Sequence, residues 1–313
     1  MGKGMENRSY EKLLKLATTA SVATAAVLIC VKLGAWFFTG SLSVLASLVD
    51  SLMDAAASAI NLLAVRYSLK SADEDHGFGH GKAEYLAGLG QASFIAGSAL
   101  FLIFQAFERL SNPEVLEEVG VGIGVMIFAV GATLSLLAIQ RYVIIKTNST
   151  AIKADALHYK ADLLTNAGTI IALFLVQAGW QLADPVFALL IAGYILSSAW
   201  QIGYEAIQLL MDRQLPLETR DQICKIALDH SKVIGIHDLR TRQSGQTFII
   251  QMHIEMDDQM PLLEAHAIAK DVENDILNTY PQADIIIHQD PTAVIKKTHL
   301  DPACIENSFD DPF

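Results

Sequence analysis

Over its first two thirds the chain alternates long apolar runs with short polar connections. The runs cover residues 14–38, 42–67, 85–107, 119–145, 157–178 and 185–207. Each reaches the roughly 20 residues that a helix needs to cross hydrocarbon, so the pattern predicts six transmembrane helices in residues 1–211. At about Met211 the long runs stop and a shorter period takes over. Residues 217–231 read as a helix, 234–243 and 248–256 as strands joined at Ser244-Gly245, 262–279 as a helix ended by Tyr280-Pro281, and 283–289 as a third strand. The second unit, 212–296, is thus a small α/β domain of order αββαβ, ferredoxin-like, whose length supports a marginal core that association would help. In the strand 248–256, Phe248, Ile250, Met252, Ile254 and Met256 share one face and Gln251, His253 and Glu255 the other, so His253 points away from the core. Residues 297–313 have few apolar groups and read as a disordered tail.

Composition sharpens this picture. Of 313 residues, 52% are hydrophobic and 18% charged, and mean hydropathy is +0.36. A water-soluble bundle built from six such stretches would lack polar surface to cover itself. The first stretch follows a basic segment and holds Ala-rich text near Ser21 that mimics a cleavage site, but its apolar run is too long for a signal peptide. Lys and Arg mark orientation: Lys3, Arg8, Lys12 and Lys15 precede the first helix, Arg66, Lys70 and Lys82 flank the second connection, Arg141, Lys146 and Lys153 the fourth, and Arg213, Arg220 and Lys225 follow the sixth. The other connections carry little positive charge, which places both termini in the cytoplasm. Lys32 and Arg109 are exceptions near enough to the outer helix ends to snorkel. A formal charge of −12 without a basic run excludes nucleic acid as a partner. Cys30, Cys224 and Cys304 form no C-x-x-C, so they imply neither a disulfide framework nor a thiolate zinc site and read as ordinary small residues.

Four ionisable groups stand inside the predicted helices. Asp50 and Asp54 in the second, and His158 and Asp162 in the fifth, are spaced i, i+4, which stacks each pair on one helical face. An Asp in hydrocarbon costs about 3 kcal/mol, so such groups need compensation and are functional by default. Two pairs from neighbouring helices could surround one Zn²⁺ with O and N donors, a set that also admits Cd²⁺ or Fe²⁺. The second connection holds Asp73, His76 and His80 among glycines, and is read either as a solvated turn or as a metal site. In the α/β unit, His237, His253, His266, His288 and Asp290 together suggest a further metal centre, with His288 and Asp290 on one face of a strand. Gly81-Lys82 is not a Walker A loop, so transport has to draw on an ion gradient rather than a nucleotide.

These residues, in this order, resemble the cation diffusion facilitator family, in particular its bacterial zinc and iron efflux members. The resemblance runs to about residue 295 and rests on the segments around Asp50 and Asp54, the loop from His76 to Glu84, the segment from Ala154 to Asp162, the segment from His237 to Gly245, and Ile285-Ile-Ile-His-Gln-Asp-Pro291. It implies proton-coupled efflux of zinc, cadmium or ferrous iron across the bacterial inner membrane by a homodimer. It further implies a transport site at Asp50, Asp54, His158 and Asp162, a loop site at Asp73, His76 and His80, and a two-metal site at the dimer interface from His237, His253, His266, His288 and Asp290. In similar proteins a Lys after the loop site pairs with an Asp after the sixth helix, here Lys82 and Asp212. The tail beyond Lys297 has no counterpart. Two other classes compete: a membrane metalloenzyme, which lacks a His-Glu-x-x-His motif and the open coordination position of catalytic zinc, and a metal sensor signalling to a partner.

Overall fold

A computed structural model describes residues 3–39, 42–111, 123–177, 180 and 182–294. Six long helices come first: α1 (Lys3–Thr39), α2 (Leu42–Ser68), α3 (Ala83–Ser111), α4 (Ile123–Thr147), α5 (Thr150–Gln177) and α6 (Ala183–Leu210). All but α5 contain a stretch long and apolar enough to cross a membrane. The exception holds Lys153, Asp155, Lys160 and Asp162 in its first half. The third connection and the tail at 297–313 lie outside the described residues.

The packing is that of helices in lipid. Large apolar side chains such as Leu63, Phe104, Ile145 and Trp200 face outward, whereas small residues recur along the buried faces of the helices beside larger ones such as Leu14, Ile95 and Ile195. The most extensive contact between helices is that of α3 with α6. Their buried stripes, Ala92, Ala99 and Ala106 against Ala192, Ala199 and Ala206, each repeat every seven residues. A seven-residue stripe of alanines keeps one seam facing the partner, and their size lets the backbones approach, which is how helices gain van der Waals contact when lipid removes the hydrophobic drive between them.

Helix α5 begins well ahead of the predicted start at residue 157. The apolar run starts there, but the helix starts where its free N–H groups find an acceptor. Buried Glu84 on α3 accepts from the Ser149 hydroxyl and from the backbone N–H groups of Thr150 and Ala151. A carboxylate is the favoured partner for a helix N-terminus, and the cap adds turns ahead of the apolar segment. The Tyr10 hydroxyl of α1 donates to the same carboxylate at 3.4 Å.

A buried polar network ties five helices at one level. Fully buried Asp155 of α5 accepts from Ser21 Oγ of α1 (2.5 Å), Gln140 Nε2 of α4 (2.8 Å) and Gln91 Nε2 of α3 (3.1 Å). Its neighbour Tyr159 donates to the Ser21 carbonyl (3.3 Å) and pairs with Ser58 Oγ of α2 (2.8 Å).

The remaining elements are α7 (Leu217–Leu228), β1 (Gly235–Ser244), β2 (Thr247–Met256), α8 (Leu262–Thr279), β3 (Asp284–Pro291) and a short 3₁₀ turn (Thr292–Val294). They have the expected αββαβ order. The sheet order is β1-β2-β3, with β2 antiparallel to β1 and parallel to β3. Ile223, Leu239, Ile250, Met252, Ile254, Ile268, Val272 and Ile276 close the core between the sheet and the two helices. Cys30 is a free thiol, and Cys224 is buried in this core.

The connection between α2 and α3 rests on this small domain. Gly81 lies so close to the β1–β2 turn that a Cβ there would meet the Ser244 carbonyl carbon at 2.5 Å and Gly245 N at 2.6 Å. Lys82 Nζ reaches Asp212 Oδ1 at 2.7 Å, Arg242 Nη1 reaches Asp212 Oδ2 at 3.1 Å, and the Arg242 guanidinium lies over the Phe78 ring. Asp212 itself adopts φ 60°, the left-handed conformation that turns the chain out of α6.

Two outcomes follow. Asp155→Leu removes the acceptor of Gln91 Nε2 and of one Gln140 N–H, whereas Ser21 keeps the Ala17 carbonyl and Gln140 keeps Ser21 Oγ; the change should cost about 1–3 kcal/mol, read as a lowered thermal midpoint in detergent. At Asp212, desolvation favours the neutral form, but the Lys82 hydrogen bond and the charges of Lys82 and Arg242 outweigh it and hold the carboxyl below its usual range. A depressed folded value means stabilisation that is complete above the ordinary carboxylate pKa and is lost as pH falls through the folded value. Distance measurements between spin labels on α6 and β1 should therefore be constant at neutral pH and lengthen only below about pH 4.

Candidate metal centres

Three groups of side chains are gathered tightly enough to hold a cation. In each, one donor atom per residue lies within 4.8 Å of the others: Asp54, His158 and Asp162; Asp73, His76 and His80; and His237, His253 and Asp290.

The first group lies between α2 and α5. Asp54 Oδ1 stands 2.9 Å from His158 Nε2, and Asp162 Oδ2 stands 3.9 Å from the same nitrogen. The i, i+4 spacing places His158 and Asp162 on one face of α5. His158 is buried, its ring edge against Tyr159, whose hydroxyl is locked into the polar network one turn below. Asp50 stands one turn from Asp54 on α2, exposed, and outside the gathered set. Lys32 of α1 adds a cation beside these acids: its ammonium donates to the Ser47 carbonyl at 3.0 Å and to Ser51 Oγ at 2.7 Å.

The second group is made by the turn between α2 and α3. Asp73 Oδ1 accepts the His76 backbone N–H at 2.9 Å, and Gly79, at φ 76°, lets the chain reverse so that its own N–H meets the His76 carbonyl. The rings of His76 and His80 lie with centroids 4.4 Å apart. His80 is buried, and its Nδ1 faces the Lys70 carbonyl at 3.3 Å, which assigns the proton to Nδ1. Its Nε2 is buried without a hydrogen-bond partner and stands 3.5 Å from Asp73 Oδ2. A buried lone pair left open beside a carboxylate is a ligand position, since such groups are otherwise satisfied. Lys70 occupies Asp73 for now: its hydrogen bond, then the His76 backbone N–H, hold that carboxyl well below the usual range.

The third group is built by strand register. His237 of β1 pairs with His253 of β2, which pairs with His288 of β3. Directly opposed residues share a sheet face, so three imidazoles stand in a row, with ring centroids 4.9 and 4.7 Å apart. Asp290, two residues along the same face, reaches all three: His253 Nδ1 at 2.7 Å, His288 Nε2 at 3.1 Å and His237 Nε2 at 3.2 Å. Burial opposes ionisation of Asp290, but the His253 hydrogen bond and the charges of His288, His253 and His237 hold it below its usual range. Beyond the row, Glu255 Oε1 meets His237 Nδ1 at 3.1 Å, turning Nε2 toward Asp290. Glu255 was not among the expected site residues, although the alternation of β2 already put it on the face of His253. Its place depends on Gly235, where a Cβ would strike the Glu255 carboxylate at 2.6 Å. His266 is exposed on α8 and is not brought to this set.

Comparison with known proteins agrees with both regions of the chain. Residues 18–211 match the model of the cation efflux transmembrane domain, and 215–292 that of the cation efflux protein cytoplasmic domain. Over 288 residues the chain is 53% identical to the cation-efflux pump FieF of Yersinia enterocolitica, covering 92% of this chain and 96% of that one, and equally to FieF of Yersinia pestis. Among solved structures, the zinc form of the zinc transporter CzrB is 25% identical over 28% of this chain and 99% of its own, with a TM-score of 0.26. The metal-bound C-terminal domain of the CzcD transporter from Thermotoga maritima is 26% identical over 26% of this chain and 94% of its own, with a TM-score of 0.25. With two family models spanning nearly its whole length and a relative sharing more than half of its residues, the chain belongs to the cation diffusion facilitator family and is a multi-pass cation-efflux carrier, not an enzyme.

Proposed function

We propose that this carrier expels zinc from the cytoplasm in exchange for protons, working as a homodimer in the bacterial inner membrane with both termini cytoplasmic. The observation that carries the reading is the convergence of Asp54, His158 and Asp162 between α2 and α5. An imidazole with carboxylates is the donor set of zinc, and it also accepts cadmium and ferrous iron. Asp50, one turn away on α2, is the fourth ligand in this reading. Asp73, His76 and His80 form a second, surface site. His237, His253, His288 and Asp290 form a third on the cytoplasmic domain, to which His266 contributes in the dimer. Lys82 and Asp212 hold that domain to the membrane helices.

The coupling to protons follows from the ligands. A carboxylate or imidazole cannot bind metal and proton with the same lone pair, so loading zinc releases protons and loading protons releases zinc. If only the filled carrier reorients, an inward proton gradient moves metal outward. The homodimer rests on the small size of the α/β domain, for which shared burial is the ordinary remedy.

In proteoliposomes of the purified full chain, Asp54→Ala and His158→Ala should each reduce zinc flux to the level of empty vesicles while the protein still elutes as a dimer. Flux at the wild-type rate in either variant would remove these residues from the pathway. For the energy source, the apparent zinc affinity of the wild type should weaken as pH falls, and zinc movement should carry protons the other way, read with a dye trapped inside the vesicles. Zinc flux indifferent to an imposed pH gradient would leave a uniporter.

A further inference from the structure

We propose that Lys32 is the fixed counter-charge of the transport site, a tethered cation that limits metal affinity and makes the site electrically neutral when a divalent ion occupies it. The inference rests on the transport site argued above.

Lys32 is half-buried on α1, within a stretch that crosses the membrane. An ammonium in that position is costly unless it serves a partner. Its two hydrogen-bond acceptors, the Ser47 carbonyl and Ser51 Oγ, are neutral oxygens and leave its charge uncompensated. Ser47, Ser51 and Asp54 are spaced i, i+4, i+7 on α2 and form a single stripe, so the two acceptors hold the ammonium one turn from the ligand. Asp50 and Asp54 flank Ser51 on α2, the residue whose hydroxyl holds the ammonium. No other Lys or Arg is placed against these acids in this way among the described residues.

Charge balance gives the arrangement its meaning. Three ionised carboxylates and a neutral imidazole around a divalent cation leave one negative charge over, and Lys32 cancels it. A neutral filled site crosses the low-dielectric centre most easily. A monovalent ion in the same place leaves the set negative, so the lysine favours divalent cargo. The same positive charge repels the metal and keeps binding weak enough for release.

The experiment compares wild type, Lys32→Gln, Lys32→Met and Lys32→Arg as full-length protein in vesicles with the membrane potential clamped, zinc being the probe. Both neutral variants should bind more tightly, with KM lower by about tenfold or more. Turnover should fall, and zinc flux should acquire a voltage dependence differing from wild type by about one charge per metal. Lys32→Arg should restore all three. Neutral variants within about twofold of wild type in KM, kcat and voltage response, or a KM that rises, would overturn the proposal. Absence of saturable zinc flux in the wild type would instead overturn the transport reading on which it stands.

Discussion

Ionised ligands inside a bilayer have to be compensated where they stand, and across α2 and α5 that compensation runs through the 2.9 Å contact of Asp54 with His158. These two helices touch over a small area, whereas α3 and α6 meet along two alanine stripes. The contrast has a physical consequence. A seam of close-packed small residues resists sliding, because any displacement opens voids along its whole length. A contact made of one imidazole and two carboxylates can be remade around an ion without disturbing packing elsewhere. The Asp155 network sits directly beneath, joining α1, α3, α4 and α5 with fully oriented donors, and so fixes the ring of Tyr159 and the backbone of its neighbour His158.

The small domain solves a different problem. Its histidines are far apart in sequence and come together only because β2 is the central strand, antiparallel to one neighbour and parallel to the other. A one-residue slip in either pairing would send an imidazole to the core face. The break in register between His237 and Arg240, with Asp238 at φ 50°, occurs just beyond the row and leaves it intact. Glu255 and Asp290, opposed to each other in the next same-face row, brace the histidines along one side.

How much of this could be read in the sequence depends on the distance over which each feature is encoded. The i, i+4 pairs at Asp50/Asp54 and His158/Asp162 were legible because helical spacing alone puts them on a face. That Asp54 rather than Asp50 would meet His158 was not, since it depends on the axial offset between α2 and α5. The strand assignments came from alternation, but pairing register is a property of two strands together, so the sequence suggested a cluster of five groups without its order, and missed Glu255. Helix α5 was misplaced for a similar reason: its start is set by Glu84, far away in the chain, and an apolar run cannot announce a cap supplied by another helix. Lys32 was taken for a snorkelling residue because position along one helix says nothing about Ser51 on the next.

The three centres share one design, an imidazole backed by a carboxylate, yet they differ in what the carboxylate already holds. At the loop, Asp73 is engaged by Lys70 and by a backbone N–H, so an arriving metal displaces a mobile lysine that is free to leave into water. On the sheet, Asp290 is shared by three histidines, and a metal replaces the contacts of one acid to several rings. Between α2 and α5, Asp54 has His158 and the nearby charge of Lys32, which is held by α2 itself. Exchange should therefore be easiest at the loop and most strongly opposed at the sheet. The membrane site lies between them because its competing cation cannot leave: it opposes the metal at every stage of binding without ever being displaced, which is the condition for a site that must take up its ion on one side and give it up on the other.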